Sequence, residues 1–368
     1  MAPTQEALYA DIDLALSWSE RDLPERERTR HVHRLHPYLG KFIPQLVEVL
    51  LGRYFRTGEH VLDPFAGSGT TLVQALESGL DATGIDIAAF NCLLIEVKTQ
   101  AYNPFVLEQD LRAAHARVGE TNGERPSAYV RRWFAPQAAR ELLGFRALVD
   151  EYEHADVLRV VLARAARSAR RTTHFDLDFP RDPQLEPYWC YKHRRECRPV
   201  EGAAQFLRRY TLDTLARLKE FARVRARGRS ATVIHADVRE EPLGRFDGVL
   251  TSPPYPGLID YHEQHRVAYE LLGLDDRSTS EVGAARAGSS RAALAAYSEA
   301  MAEVIANARG SLRRGAPIVV VVNDRHDIYP GIFDQAGVRL EKRSRRHVNR
   351  RTGRRSGEFY EDVLVARA

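Results

Sequence analysis

The chain has 368 residues, is 44% hydrophobic, and carries a formal net charge of +4 from 54 Lys and Arg against 50 Asp and Glu. That is an ordinary globular balance, with room for one large α/β domain or a core domain with a substantial insert. Three cysteines do not make a disulfide framework and suit a reducing cytoplasm, no apolar run reaches membrane-spanning length, and the start MAPTQEALYADIDLALSWSE lacks the order of a secretory signal.

Residues 1–35 read as a charged helical arm. The stretch HPYLGKFIPQLVEVLLGRYF then opens with turn chemistry and becomes a helix, because Phe42, Leu46, Val49 and Leu50 fall on one face. HVLDPFAGSGTTLVQALESG reads as a short strand, a glycine turn and a helix stopped by Gly79, and DATGIDIA reads as the next strand. Strand, helix and strand at this spacing form a βαβ unit with parallel pairing. From about residue 100 to 230 the pattern is helical and rich in arginine, with the loop FDLDFPRDPQLEPYWCYKHRRECRP; strands resume at ATVIHADV, FDGVLTS, APIVVVVN and YEDVLVARA. The expectation is an α/β fold with one mostly parallel, Rossmann-like sheet, helices on both faces and a mainly helical insert. Its parts are an arm (1–35), a first half (36–100), the insert (101–230) and a second half (231–368).

The charge is unevenly spread. Lys192 to Arg229 holds 12 Lys and Arg against 4 Asp and Glu, and Arg339 to Arg355 holds 9 against 1. One basic run is commonly a solvated face; two in a chain balanced elsewhere point to a polyanion.

The glycine turn, Asp63 to Thr71, lets backbone approach a ligand and offers helix-start amides to an anion. A lone G-x-G is often a tight connection, but here Asp86 closes the following strand, where a carboxylate can accept the hydroxyls of a ribose. The turn lacks the third glycine of a dinucleotide fingerprint and the Lys of a P-loop, which leaves S-adenosylmethionine. DPFAGSGTT with GIDI closely resembles the cofactor motifs of amino-methylating bacterial DNA methyltransferases. The resemblance implies a class I S-adenosylmethionine-dependent fold, with Asp63, Phe65, Ala66, Gly67, Gly69 and Thr70 around the methionine part of the cofactor. It sets Asp86 and Ile87 by the ribose, Tyr38 and Lys41 of the HPYLGKF segment beside the carboxylate, and Asp237 near the adenine. For Asp237 a strand-end cap is an equal alternative.

VLTSPPYPGLIDYHEQH sets two prolines and a tyrosine directly after an apolar strand. A proline pair ends a strand and stiffens the backbone, which suits holding one carbonyl and one ring in place. In the same family Ser252, Pro253, Pro254 and Tyr255 match the catalytic motif: the Ser252 side chain and the Pro253 carbonyl accept from an exocyclic amino group, and Tyr255 stacks on the base. Serine at the first position implies the 4-amino group of cytosine; the 6-amino group of adenine, structured RNA and a non-catalytic DNA-binding protein are the alternatives. The target base has to leave the stack to reach such a pocket. His262 and its neighbours Asp260, Tyr261, Glu263 and His265 are weaker candidates for base or phosphate contacts.

In the insert, Arg164, Arg167, Arg170 and Arg171 recur at helical spacing and Lys192, Arg194 and Arg195 follow, which suits phosphate contacts on double-stranded DNA. Cys190, His193 and Cys197 form a C-x-x-H-x-x-x-C string without an evident fourth ligand, so no metal site is assigned. They read instead as packing in a loop-rich subdomain with Tyr188 and Trp189 as its core. The remaining expectations are a cytoplasmic, nucleoid-associated monomer or dimer, free of membrane and paired with a cognate restriction endonuclease.

Overall fold

A computed structural model describes residues 12–18, 21–121, 123–348 and 359–368. Seven strands form the main sheet: β1 (His60–Asp63), β2 (Asp81–Asp86), β5 (Ala231–His235), β6 (Gly248–Thr251), β7 (Pro317–Val322), β8 (Arg339–Val348) and β9 (Phe359–Arg367). Their order is β5-β2-β1-β6-β7-β9-β8, parallel except for β9, which runs antiparallel to both neighbours. A second, two-stranded sheet pairs β3 (Tyr188–Cys190) with β4 (Arg195–Cys197).

Chain order and burial explain the sheet. Every residue of the central strand β7, PIVVVV, is buried, as expected where helices cover both faces. Helices α1 (Pro44–Tyr54) and α2 (Thr70–Glu77) lie on one face; Gly84 of β2 leaves room for Leu72 of α2, whose Cδ1 would be 2.9 Å from an added Cβ. On the other face, Leu62, Ile85, Val249, Ile318 and Val320 share a core with Tyr297, Met301, Val304 and Ile305. Those four belong to α10 (Arg291–Gly310), and α11 (Tyr329–Gln335) adds Ile332 and Phe333. This is the class I methyltransferase architecture expected from the sequence.

The chain divides into two compact units, one of residues 1–87, 224–259 and 279–368 and the other of 88–223 and 260–278. The second holds α3 (Ala89–Thr99), α4 (Pro104–Ala116), α5 (Ala128–Trp133), α6 (Pro136–Leu148), α7 (Ala155–Ala169), most of α8 (Ala204–Val224) and α9 (Arg266–Leu272). Val157, Leu158, Val160, Val161, Leu162 and Ala163 of α7 are all buried, and so is Arg164, so most of this helix lies inside the unit although it carries several arginines. The unit thus begins before residue 101 and includes a segment beyond the Pro-Pro-Tyr motif.

Two expectations are corrected. The arm of 1–35 is not a continuous helix; Glu25–Arg28 makes one helical turn, Leu14–Leu16 and His31–Arg34 make 3-10 turns, and Asp13 N donates to Arg345 O at 2.7 Å. Residues 1–11 of the arm lie outside the described residues. The basic run from Arg339 contains the edge strand β8, and acids of β9 neutralise part of it: Arg346 Nε reaches Glu361 at 2.9 Å and Arg343 Nε reaches Asp362 at 3.2 Å. Charge on an edge strand also discourages edge-to-edge pairing. Residues 349–355 of that run lie outside the described residues.

Candidate active site

Parallel pairing of β1 with β6, Leu62 opposite Val249, brings the glycine turn and the proline pair to the carboxyl ends of adjacent strands. Side-chain hydrogen bonds tie them directly. Thr251 Oγ1 donates to Asp63 Oδ1 at 2.6 Å, and Phe65 N donates to the same oxygen at 3.2 Å. Asp63 is fully buried, and that burial pushes its carboxyl up to about 6 against the opposing pull of hydrogen bonds from Thr251, Thr71 and Phe65.

The turn after β1 is bare backbone shaped by positive φ, +50° at Gly67 and +77° at Gly69, the latter capping α2. A Cβ at Gly67 would sit 3.0 Å from the Tyr38 hydroxyl, so Tyr38 closes over the turn and a side chain there would fill the cradle. Gly67 N donates to Asp86 Oδ2 at 2.7 Å, while Ala66 N donates to Ile85 O at 3.0 Å. Phe65 is half-buried against the sheet core, Thr70 Oγ1 lies 3.2 Å from Ser68 Oγ, and Ile87 O lies 3.0 Å from His235 Nε2. Lys41 is turned inward: its Nζ donates to His33 O at 2.7 Å, and burial lowers it to about 8 despite nearby Glu25. Asp237 accepts from Arg239 N and Nε, both at 3.0 Å, and this pairing holds it below the usual carboxylate range. That is the cap geometry allowed for Asp237.

Beyond Thr251, Ser252 is half-buried, Pro253 buried, and Pro254 and Tyr255 half-buried. The turn is braced by residues outside the Pro-Pro-Tyr motif. The Tyr297 hydroxyl donates to Pro254 O at 3.0 Å and meets the Tyr329 hydroxyl at 2.8 Å. The Tyr255 hydroxyl donates to Glu361 Oε1 at 3.0 Å, and the other carboxylate oxygen of Glu361 binds Arg346. Gly257 follows at φ +67°, where a Cβ would meet the Gly288 carbonyl oxygen at 2.6 Å, so the loop closes backbone to backbone. Tyr329 had a signal in the YP pair after the late VVVVND strand; Tyr297, inside an ordinary helix, had none.

A family model described as DNA methylase matches residues 10–97. The Type II methyltransferase M.MjaII of Methanocaldococcus jannaschii is 34% identical, over 96% of this chain and 83% of its own length. The chain belongs to the amino-methylating type II DNA methyltransferases. The Type II methyltransferase M.BsoBI of Geobacillus stearothermophilus is 21% identical over 70% of this chain and 56% of its own. Among solved structures, TrmN from Thermus thermophilus aligns with a TM-score of 0.35 at 13% identity, covering 89% of this chain and 50% of that one, too loose a likeness to add to the argument. The methyltransferase uses S-adenosylmethionine, and the glycine turn beside Asp86 fits that cofactor: backbone without a side chain at Gly67, Tyr38 over it, and a carboxylate at the next strand end. No described helix is long and apolar enough to cross a membrane.

In the methyltransferase's second unit, the arginines expected on DNA divide into two groups. Arg164, 6% exposed, pairs with Asp213, donates to Thr214 Oγ1 at 2.6 Å and lies 4.4 Å over the Tyr210 ring. Arg167 reaches Asp178 at 2.6 Å, and Arg170, 2% exposed, donates to Leu177 O. These three are internal struts, a correction that follows from later parts of the chain folding back onto them: Asp213 and Asp178 onto Arg164 and Arg167, the Leu177 carbonyl onto Arg170. Arg171 is half-buried, whereas Lys192, Arg194 and Arg195 are exposed on the β3–β4 hairpin. His262 and His265 are also buried, and burial first, then neighbouring Arg167, lowers His265 to about 3. Both stay inside the unit, His262 against Tyr269 with ring centres 5.0 Å apart, so neither is exposed for DNA. Asp260 spends its carboxylate on Glu263 N at 3.1 Å.

The Asp63 carboxyl gives a pH prediction for the cofactor-free enzyme. Between its ordinary value of 3.8 and about 6, the folded chain keeps a proton that the unfolded chain has lost. This group's contribution is therefore full below the ordinary value and is lost as pH rises through about 6. The shift corresponds to about 3 kcal/mol. Urea unfolding of Asp63→Asn beside the parent is expected to show the parent losing stability relative to the variant across that window; parallel profiles would remove the burial argument.

Proposed function

We propose that the enzyme transfers methyl from S-adenosylmethionine to the exocyclic 4-amino group of cytosine at a specific sequence in double-stranded DNA. The observation that carries the reading is a serine-headed Pro-Pro-Tyr turn whose strand is hydrogen-bonded, through Thr251 and Asp63, to the strand bearing the glycine turn. An exocyclic amino nitrogen is a weak nucleophile because its lone pair is delocalised into the ring. In the proposed pocket, Ser252 Oγ and the Pro253 carbonyl accept hydrogen bonds from its two N–H groups, drawing the nitrogen toward a tetrahedral shape and localising the lone pair. Tyr255 stacks on the everted base, its ring angle set by the bond to Glu361. The bound cofactor supplies an electrophilic methyl on a sulfonium whose positive charge is lost during transfer. Strong base is then unnecessary before attack, and positioning supplies most of the rate.

The glycine turn and Asp86 serve the cofactor in this scheme, with Tyr38 over the turn. The second unit reads the target sequence, with Lys192, Arg194 and Arg195 on phosphates. A cognate restriction endonuclease sharing the site, action at the nucleoid and a monomeric or dimeric enzyme complete the reading.

The deciding test is incubation of the purified enzyme with DNA and methyl-labelled cofactor, followed by digestion to nucleosides. Label in N4-methyl-2′-deoxycytidine is expected. Label in 6-methyladenine would move the reaction to the other amino base, and transfer to RNA alone would overturn the DNA substrate.

A further inference from the structure

We propose that His174, Cys190, His193 and Cys197 form a structural zinc site that fastens the basic β3–β4 hairpin. In sequence three of these residues make an incomplete string. The fold supplies the fourth: the ligand atoms of all four lie within 4.8 Å of one another. Cys190 Sγ is 3.4 Å from His174 Nδ1 and 3.6 Å from His193 Nδ1, and His193 Nδ1 is 3.5 Å from Cys197 Sγ. Zinc held tetrahedrally at usual thiolate and imidazole bond lengths separates sulfur from nitrogen by about 3.5 Å. Three of the four sulfur–nitrogen pairs already stand at that spacing.

The hairpin register explains the sulfurs. Cys190 opposes Arg195 and Cys197 opposes Tyr188, so the two cysteines project from the same face of adjoining strands on a diagonal. They are not joined as a disulfide. Cysteines packed as small apolar groups would set their sulfurs against carbon; here both face ring nitrogens. The expectation that Tyr188 and Trp189 make a subdomain core also fails, because Trp189 is 57% exposed and Tyr188 points its hydroxyl to His174 Nδ1 at 2.9 Å. Ligation requires that hydroxyl to release the nitrogen. Something other than an apolar core has to hold this region.

His174 is delivered by a turn of its own. Thr173 Oγ1 donates to Asp176 Oδ2 at 3.0 Å, and Arg171 N anchors the segment to Trp133 O at 2.8 Å. Between the end of α7 at Ala169 and the start of α8 at Ala204, the two three-residue strands are the only described regular elements. Long loops with so little structure need another constraint, and metal binding supplies folding free energy directly. Two thiolates and two imidazoles also select zinc over magnesium or calcium, which prefer oxygen. Zinc there would fix the exposed turn of Tyr191, Lys192 and Arg194, with Arg194 in the left-handed region at φ +52°.

The test is the metal content of the full chain, produced without a histidine tag in zinc-supplemented medium and purified without chelator. One zinc per chain is expected, released in step with thiol modification by a mercurial. Cys190→Ser with Cys197→Ser should cut zinc at least tenfold, whereas Cys92→Ser and Tyr188→Phe should keep it. Limited proteolysis of the metal-stripped parent should open the chain between His174 and Cys197. Substoichiometric zinc in the parent, zinc retained by the double serine variant, or stoichiometric iron instead would each overturn the assignment. The parent's metal content and mercurial release decide the matter even where a variant fails to fold.

Discussion

Methyl transfer is expected to fall at least ~10³-fold when Ser252 and Tyr255 are both replaced by alanine, with affinity for S-adenosylmethionine unchanged. Loss of one preorganised hydrogen-bond partner at a reacting centre costs about 10²–10³ in rate. Loss of an aromatic platform removes about 1–3 kcal/mol of base stacking. The effects add because they act on different parts of the target: the serine on the amino group, the ring on the π face. Tyr255→Phe tests the division. It keeps the platform but breaks the bond to Glu361, so it should lose only about 0.5–1.5 kcal/mol, one ordinary hydrogen bond. Label transfer to DNA gives the rate, and calorimetric titration with the cofactor gives the affinity. Undiminished turnover in the double variant would sink the proposed pocket. A parallel loss of cofactor affinity would show a collapsed turn rather than a missing contact.

What the sequence revealed depended on how local each signal was. The glycine turn, the acid ending β2 and the proline pair are short stretches whose backbone demands are written in adjacent residues, and the strand–helix–strand spacing around them set the parallel sheet. Arg164, Arg167 and Arg170 were misread because helical spacing shows which residues share a face but not what that face meets. Asp178 and Asp213, which pair with Arg167 and Arg164, sit 11 and 49 positions away. His174 could not be singled out as a fourth ligand from spacing for the same reason, since it stands 16 positions before Cys190, a separation that obeys no ligand-spacing rule. Strand β8 was hidden by its own charges: an edge strand needs one buried partner face, and its arginines buy that pairing from Glu361 and Asp362.

The bracing of the proline turn carries a similar lesson about rigidity. Tyr297 and Tyr329 come from separate helices, yet their hydroxyls meet and one holds the Pro254 carbonyl. Burial raises the Tyr329 hydroxyl far above its ordinary ionisation range, so it remains a neutral donor at any working pH. A carbonyl fixed by a proline ring on one side and a phenol on the next residue has little freedom to follow a substrate. On the proposed reading, this turn is preformed and adjustment comes from the nucleic acid.

Replacing Asp86 by alanine is the complementary case, in which cofactor binding fails and chemistry survives. Two hydroxyls of a ribose donating to one carboxylate are charge-assisted contacts, each worth about 1.5–3 kcal/mol. The same carboxylate also accepts from Gly67 N at 2.7 Å, so alanine both removes the ribose partner and unties the turn that must stay open for the methionine end. A weakening of at least ~10²-fold in cofactor affinity is expected on those magnitudes. Asp86→Asn keeps an oxygen for Gly67 N but loses the charge, and should fall between parent and alanine. The fold should survive, because β2 pairs with β5 through main-chain bonds, Asp86 opposite His235. Calorimetry and the dependence of rate on cofactor concentration measure the effect: KM for the cofactor rises, while kcat at saturation approaches the parent's. Parent-like affinity in the alanine variant would remove Asp86 from the ribose, and a fall in kcat without a rise in KM would assign it to the reacting centre instead.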